Sequence, residues 1–154
     1  MAVKDNILTK GIQSSAASPI LKNFISPIDS TAVMKLRNAG AIIVGSTNMD
    51  EFGMGSFGLN ALGGPVKNPI DEEYVAGGSS SGSAVVVKSY QALGSLGTDT
   101  GGSVNFPAHC CGLFSMKPSF GRVSRFGQIL YSSSNETTGP FGHSVHDIHA
   151  FFGK

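Results

Sequence analysis

The chain has little charge, little cysteine, no tryptophan and no long apolar run. Charged residues make up 14% of the 154 residues and the formal net charge is +1, so no strong field favours nucleic acid or an anionic membrane. No apolar stretch approaches the roughly 20 residues that span a bilayer, which excludes a transmembrane helix. The length and the 40% hydrophobic content instead indicate one globular domain with a core.

Cysteine and histidine are sparse, and neither is spaced for a metal site. Cys110 and Cys111 are adjacent, a spacing that rarely allows a disulfide and offers no second pair for zinc, so we expect free thiols. On a helix, His143, His146 and His149 would spread by about 120° between the outer two and would not converge on one ion. A solvated helix face is the better interpretation, and no metal site is predicted.

Residue patterns along the chain predict alternating helices and strands. Asp29-Ser30 is typical of a helix N-cap, and Val33 and Leu36 follow at helical spacing, with Gly40 where a C-cap belongs. The apolar run over 41–44 then predicts a strand, and helix followed by strand is the rhythm of an α/β sheet. The other predicted elements are a strand over 2–8, a short helix near 48–52 within a loop over 45–82, a helix or a strand over 83–90, a strand near 92–96, a short helix after Ser103 and a strand over 113–117.

Glycine is abundant at 21 residues, and two loops rich in glycine, serine and threonine lie at 75–83 and 97–103. Such a loop is either a flexible linker or a rigid segment that places hydroxyls for chemistry. A phosphate-binding loop is excluded, because no Gly-Lys pair is followed by Ser or Thr. Gly53-Met54-Gly55 begins a dinucleotide fingerprint but follows no convincing strand, so nucleotide binding is disfavoured.

Serine-based hydrolysis needs a hydroxyl, a base to take its proton and donors for an oxyanion. The histidines lie late in the chain and outside any G-x-S-x-G elbow. A lysine can serve as the base once burial lowers its pKa, because burial disfavours the charged form. Lys4 lies in a predicted strand among apolar neighbours and is therefore a candidate, although most lysines are solvated surface groups.

Three segments taken together resemble the amidase signature family of hydrolases. They are AVKDNI (2–7), GGSSSGSA (77–84) and GTDTGGSVNFPA (97–108). Any one glycine- and serine-rich loop is weak evidence, but the three segments also occur in the order and at the spacing of that family. The resemblance implies an amidase-signature α/β fold, with a mixed β-sheet core covered by helices.

Two further segments narrow the resemblance to one branch of the family. GSTNMDEFGMGSFG (45–58) and KPSFGRVSRFG (117–127) are more similar to the A subunits of glutamyl-tRNA(Gln) amidotransferases than to general amidases. The resemblance runs over essentially the whole chain but covers only a central section of the family's longer domain. Residues 1–154 are therefore interpreted as one catalytic core that is partial.

The resemblance also implies a role for each matching residue. Lys4 would be the neutral general base, Ser79 a bridging serine held by a cis peptide bond, and Ser103 the nucleophile. Backbone N–H groups around Thr100, Gly101 and Gly102 would form the oxyanion hole, and Gly55 would contact the substrate. These assignments rest on the motif matches and require that Lys4, Ser79 and Ser103 lie close together in the folded chain.

The implied reaction is hydrolysis of glutamine to glutamate in a subunit that itself needs no cofactor or metal. In the family, the ammonia passes to a partner B subunit, which uses ATP and magnesium to convert Glu-tRNA(Gln) to Gln-tRNA(Gln), and we expect a further small subunit in the complex. No membrane insertion is expected. The alternatives are a general amidase of the same family and a non-catalytic fragment or scaffold subunit.

Three positions depart from the family's usual motifs. Ser81 stands where a glycine is usual, which would cost about 1 kcal/mol if the backbone there has positive φ. Asn105 replaces an arginine and removes a charge near the site, and Asn135 replaces an aspartate in segment 132–140. These departures indicate a mitochondrial relative, with a cytoplasmic one as the alternative.

The section lacks parts of the family's domain, because the arginine and aspartate that grip the substrate in the family lie C-terminal to the residues present here. The sheet formed by this chain alone would then have unpaired edge strands and exposed apolar surface. We therefore expect poor solubility for the isolated chain.

Overall fold

A five-stranded mixed sheet forms the centre of the computed structural model, which describes residues 1–153. The strand order is β2-β1-β3-β5-β4. Strand β1 is parallel to both of its neighbours, whereas β5 is antiparallel to β3 and β4. The strands are β1 Ala2–Lys4, β2 Gly45–Thr47, β3 Ser95–Asp99, β4 Phe114–Ser115 and β5 Thr137–Gly142.

Within residues 1–153, four α-helices and two short 3-10 helices accompany the sheet. Ser30 caps the first helix by accepting the Val33 N–H, as predicted, and Ser144 forms a capping box with Asp147 at the last one. Among residues 1–153, no helix has the length and apolar character to cross a membrane. The α-helices are α1 Thr31–Asn38, α2 Ser81–Lys88, α3 Asn105–Cys110 and α4 Val145–Phe152, and the 3-10 helices are Pro19–Leu21 and Glu51–Gly53.

Helix α2 packs on the sheet through both apolar and polar contacts. Ala84 and Val87 belong to a buried cluster with Phe141 of β5. The Ser83 hydroxyl donates to the Leu96 carbonyl at 3.0 Å, and Ser95 donates back to the Ser83 carbonyl at 2.6 Å. These reciprocal bonds fix the start of α2, and with it the preceding serine loop, against β3.

Most predicted elements are present, and the segment over 83–90, predicted as either a helix or a strand, is helical as far as Lys88. The short helix after Ser103 is α3, and the strand over 113–117 is reduced to β4. Strand β1 ends at Lys4 rather than at residue 8, because a turn begins directly after it.

The strand prediction over 41–44 is wrong. Ile42 and Val44 are exposed, and the polar segment Gly45–Thr47 pairs with β1 instead. The strand expected near 92–96 begins later, at Ser95. Strand β5 was not predicted, because its Gly139-Pro140 pair is typical of strand interruptions.

Candidate active site

Lys4 is fully buried at the carboxyl end of β1. Its Nζ lies 2.8 Å from Ser79 Oγ, 2.9 Å from Thr98 Oγ1 and 3.3 Å from the Thr98 carbonyl oxygen. Because β1 and β3 are parallel neighbours, their carboxyl ends lie at one edge of the sheet and bring Lys4 beside Thr98. The structure thus places two of the three predicted catalytic residues, Lys4 and Ser79, in direct contact.

Burial lowers the pKa of Lys4 from 10.5 to about 7, although the negative charges of Glu136, Asp99 and Asp50 act against this shift. Three oxygens surround the amine, and Lys4 Nζ donates to each of them, namely Ser79 Oγ and the two oxygens of Thr98. The neutral amine has two N–H donors and one lone pair, so after loss of a proton the contact with Ser79 can reverse, with the Ser79 hydroxyl as donor. An amine with a pKa near 7 is suited to act as a general base.

The serine-rich loop before α2 is rigid rather than a linker. The Gly78–Ser79 peptide bond is cis, as the resemblance implied, and Ser79 is buried. Gly77 has φ +76°, and a Cβ on Gly78 would overlap the Asp50 carboxyl group. The Asp50 N–H donates to the Ser79 carbonyl at 3.1 Å, which holds the loop from the other side.

Asp50 also shapes the segment that carries Gly55. Its buried carboxylate accepts the Gly58 N–H at 3.0 Å and the Asn60 N–H at 2.8 Å, so the chain folds back around it. A Cβ on Gly55 would overlap this carboxyl group. Gly55 is therefore required by packing, and it also lines the cavity described below.

The loop that carries Ser103 is organised by Asp99, the last residue of β3. The buried Asp99 carboxylate accepts N–H groups of three residues that follow it, from Gly102 at 2.8 Å, Val104 at 2.7 Å and Asn105 at 3.3 Å. These bonds set the loop and the start of α3 in one conformation.

One of the three predicted oxyanion donors is already engaged. The Gly102 N–H donates to Asp99, so it is turned into the loop and away from an incoming oxyanion. Within residues 1–153, the N–H groups of Thr100, Gly101 and Ser103 have no acceptor. Within the described residues, Thr100, Gly101 and Ser103 thus keep free N–H groups in this loop, whereas Gly102 does not.

The Ser103 loop lies directly beside the Ser79 loop. The Ser80 N–H donates to the Ser103 carbonyl at 3.2 Å, which joins the two backbones. The Ser103 hydroxyl itself makes no hydrogen bond within the described residues 1–153. The structure therefore brings Ser103 next to the Lys4–Ser79 pair without a bond between the two serine hydroxyls.

Lys117 braces this loop and was not identified from the sequence. Its Nζ lies 2.8 Å from Asp99 Oδ1 and donates to the Thr100 carbonyl at 2.7 Å. Burial acts to raise the pKa of Asp99, but the Lys117 ammonium and the backbone N–H bonds outweigh it, so the pKa is lowered and the carboxylate stays charged. The only signal in the sequence was the position of Lys117 inside the KPSFGR motif.

A cavity of about 260 Å³ opens between the Ser103 loop and the segment over 53–56. Its lining carries no charged side chain, and Tyr131 forms one wall with half of its surface exposed. The cavity therefore fits a small neutral group beside the Ser103 loop. Its lining residues are Gly53, Met54, Gly55, Ser56, Thr100, Gly101, Ser103 and Tyr131.

Glu136 is a further buried carboxylate near the base that sequence reasoning missed. It is 1% exposed, its Oε1 lies 3.5 Å from Asn6 Nδ2, and its Oε2 accepts the Tyr131 N–H at 2.7 Å. Asn6 Nδ2 also donates to Thr98 Oγ1 at 3.1 Å, the same atom that contacts Lys4. The neighbouring departure from the family's motif, Asn135, is exposed.

The departure at Ser81 has a different consequence from the one expected. Ser81 is helical and does not have positive φ, so the predicted backbone strain is absent. Its cost is instead a buried hydroxyl without a hydrogen-bond partner within residues 1–153. Asn105 is exposed, and its Oδ1 accepts the Ser115 hydroxyl at 3.1 Å.

Within residues 1–153 the histidines make no hydrogen bond to Lys4, Ser79 or Ser103. The cysteines pack against the segment before Ser79, where Cys111 Sγ lies 3.6 Å from the Ala76 carbonyl oxygen. His146 and His149 are exposed on α4, whereas His143 precedes the helix and stacks on Tyr90 with ring centroids 4.4 Å apart. Both cysteines are free thiols, and burial raises the pKa of Cys111 to about 11. Within residues 1–153, no three His, Cys, Asp or Glu side chains are grouped to hold a metal ion.

The mixed sheet and these groups fit one class of proteins, hydrolases in which a buried lysine replaces histidine as the base for serine chemistry. The amidase family model matches residues 1–153, and the chain belongs to the amidase family. This family and the five-stranded mixed sheet confirm the predicted fold class.

Individual relatives support the same assignment to the amidase family. The glutamyl-tRNA(Gln) amidotransferase A subunit of Koribacter versatilis is 52% identical over 147 residues, which are 96% of this chain and 31% of that protein. The crystal structure of the glutamyl-tRNA(Gln) amidotransferase A subunit from Thermotoga maritima has a TM-score of 0.95 at 44% identity, covering 99% of this chain and 34% of that one. The native peptide amidase of Stenotrophomonas maltophilia has a TM-score of 0.92 at 39% identity, covering 98% of this chain and 32% of that one. The chain thus spans about a third of the length of these relatives.

Proposed function

We propose that this chain carries the catalytic core of a glutaminase that supplies ammonia to a tRNA-dependent amidotransferase. The observation that carries the proposal is the buried contact between Lys4 Nζ and Ser79 Oγ at 2.8 Å, next to the Ser103 loop. The identity of 52% to the A subunit of an amidotransferase supports glutamine as the substrate.

The proposed reaction begins with two proton transfers. Neutral Lys4 accepts the proton of Ser79, and Ser79 accepts that of Ser103 as the Ser103 oxygen attacks the amide carbon. The N–H groups of Gly101 and Ser103 stabilise the oxyanion. Apo catalytic hydrogen bonds are often long and tighten only when substrate binds, which accommodates the unbonded Ser103 hydroxyl.

Collapse of the tetrahedral intermediate breaks the C–N bond. The proton held by Lys4 returns through Ser79 to the leaving nitrogen, which departs as ammonia and leaves an acyl ester on Ser103. Water then adds to the ester carbon by the same proton route, and glutamate is released with Ser103 regenerated. This sequence requires no metal or cofactor in this chain.

The partners of the proposed reaction follow from the amidotransferase relatives. The ammonia passes to a B subunit, where ATP and magnesium serve the conversion of Glu-tRNA(Gln) to Gln-tRNA(Gln), and a further small subunit completes the complex. The departures at Ser81 and Asn105 support a mitochondrial location over a cytoplasmic one.

A general amidase is the second candidate, and the similarity to a peptide amidase supports it. The peptide amidase relative has a TM-score of 0.92, close to the 0.95 of the amidotransferase relative.

Labelling with a fluorophosphonate tests the assignment of the nucleophile. Ser103→Ala should abolish labelling, and Lys4→Met should reduce it by at least about 10²-fold at neutral pH, because the proton then has no base. Ser56→Ala is the matched control, since Ser56 lines the same cavity and has no role in the proposed transfers. Labelling that persists in Ser103→Ala contradicts the assignment.

Ammonia release distinguishes the two candidate functions. The folded chain is assayed with glutamine and with a neutral peptide amide, with and without the B subunit of a relative. Release from glutamine supports the glutaminase, whereas release from the peptide amide alone supports the general amidase. No release from either substrate under either condition contradicts both.

A further inference from the structure

Of the three described carboxylates whose charges act on Lys4, Glu136 has the least direct compensation. Asp99 accepts three N–H groups and pairs with Lys117, and Asp50 accepts two backbone N–H groups. Glu136 is 1% exposed and receives only the Tyr131 N–H at 2.7 Å and the long Asn6 contact at 3.5 Å. Its negative charge is therefore available to act on Lys4.

A continuous path of polar groups joins Glu136 to the base. Asn6 Nδ2 contacts Glu136 Oε1 on one side and Thr98 Oγ1 on the other, and Thr98 Oγ1 lies 2.9 Å from Lys4 Nζ. All four residues are buried, so water does not screen the charge along this path. The second oxygen of Glu136 holds the backbone of Tyr131, which forms a wall of the cavity.

We propose that Glu136 is a positioning residue for the reaction proposed above, whose carboxylate sets the pH at which Lys4 becomes neutral and ties the base to the Tyr131 wall of the cavity. Glu136 acts through Lys4 and touches neither substrate nor Ser103. The charged groups that bear on Lys4 are Glu136, Asp99 and Asp50, and Lys117 offsets Asp99.

The direction of the effect follows from the sign of the charge. A buried negative charge stabilises the protonated amine, so Glu136 raises the pKa of Lys4 against the lowering by burial. Glu136→Gln removes that charge with little change in volume. Lys4 then becomes neutral at lower pH, and the acid limb of Ser103 labelling moves down by about one pH unit.

The test measures two quantities in the wild type, in Glu136→Gln and in a control. The first is the rate of Ser103 labelling by a fluorophosphonate between pH 5 and 9, and the second is the side-chain ¹³Cε titration of Lys4 by NMR. The control is Thr137→Val, because Thr137 is the buried neighbour whose hydroxyl has no hydrogen-bond partner within residues 1–153. We expect both midpoints to fall together in Glu136→Gln and to stay at the wild-type pH in Thr137→Val.

The outcomes separate this proposal from the proposed function. Labelling that is absent in the wild type contradicts the proposed function, and the Lys4 titration still decides the role of Glu136. A Lys4 midpoint that is unchanged in Glu136→Gln overturns the present proposal even if labelling is normal. If Glu136→Gln does not fold, Glu136→Met provides the second variant, since it also removes the charge. A Lys4 midpoint in Glu136→Met that equals that of Thr137→Val overturns the proposal, and one that is lower by about one unit supports it.

Discussion

At the scale of single residues, Lys4 illustrates how burial lowers the pKa of a residue type that is usually solvated. Lysine is almost never fully buried unless it is paired, yet Lys4 is fully buried and its nearest polar partners are hydroxyl and carbonyl oxygens. The folded chain therefore favours the neutral amine, and the pKa falls to about 7. This shift of the Lys4 pKa must also appear in the pH dependence of the free energy of unfolding.

We predict that the free energy of unfolding rises between about pH 7 and pH 10.5 because of Lys4. In this window the unfolded chain binds a proton at Lys4 that the folded chain does not, so raising the pH favours the folded state by up to about 1.4 kcal/mol per unit. Lys4→Met should remove that slope, as measured by urea unfolding at several pH values.

The matched control for this prediction is Lys10→Met, because Lys10 is exposed. Its unfolding free energy should follow the wild-type dependence on pH. Parallel profiles for the wild type and Lys4→Met would show that Lys4 is not a neutral amine in the folded chain.

At the scale of structural elements, the site is formed by two short loops that follow or precede regular structure. The Ser103 loop follows β3 and is held by Asp99 and Lys117, and the Ser79 loop precedes α2 and is held by Asp50. Asp99 thus fixes the Ser103 loop by accepting its backbone N–H groups, and Asp50 fixes the Ser79 loop because its carboxyl group packs closely against Gly78.

We predict that Lys117→Met slows Ser103 labelling by about 10²-fold, because the Thr100 carbonyl and Asp99 lose the cation that orients the loop. The chain should remain folded, as measured by circular dichroism, since Lys117 is one third exposed. Lys67→Met is the control, because it breaks an exposed salt bridge with Glu72 away from the cavity. Equal labelling rates in the two variants would contradict a role for Lys117.

The sequence predicted these elements unevenly, for physical reasons. Helix α1 was predictable because its cap and apolar spacing are local signals. The apolar run over 41–44 led to a wrong strand prediction, because strand pairing depends on which segment lies beside β1. That segment is Gly45–Thr47. Asp99 and Lys117 could not be predicted as a pair, since their contact exists only once β3 and the segment after β4 are folded together.

The motifs predicted more of the site than the residue patterns did. The resemblance selected Lys4 and Ser79, which are in contact, and a Ser103 loop that adjoins them. It did not reveal that the Gly102 N–H is occupied or that Glu136 is connected to the base, because both depend on side-chain geometry rather than on residue type. The catalytic roles themselves remain predictions until the labelling experiments are done.

At the scale of the whole molecule, the chain covers 31% of the Koribacter versatilis relative and leaves apolar surface exposed. Strands β2 and β4 are the two outer strands of the sheet within residues 1–153. Large exposed side chains include Ile20, Ile42, Val44, Leu93 and Phe126. Surface of this kind favours association between chains.

We predict that the isolated chain self-associates at micromolar concentration, because association buries the exposed apolar side chains and the outer strands. Light scattering after size-exclusion chromatography measures the mass of the species formed. The full-length Thermotoga maritima relative is the control, of which this chain covers 34%. A monomer that unfolds in one cooperative transition would contradict the prediction.

The position of Tyr131 on the cavity wall makes the site optically visible without any added label. The chain has three tyrosines and no tryptophan, so its ultraviolet emission comes from Tyr74, Tyr90 and Tyr131 alone. Of these, Tyr90 is stacked on His143, and Tyr131 is the one that lines the cavity. Occupation of the cavity should therefore change the emission of this protein near 300 nm, at wavelengths that the indole emission of most proteins would obscure.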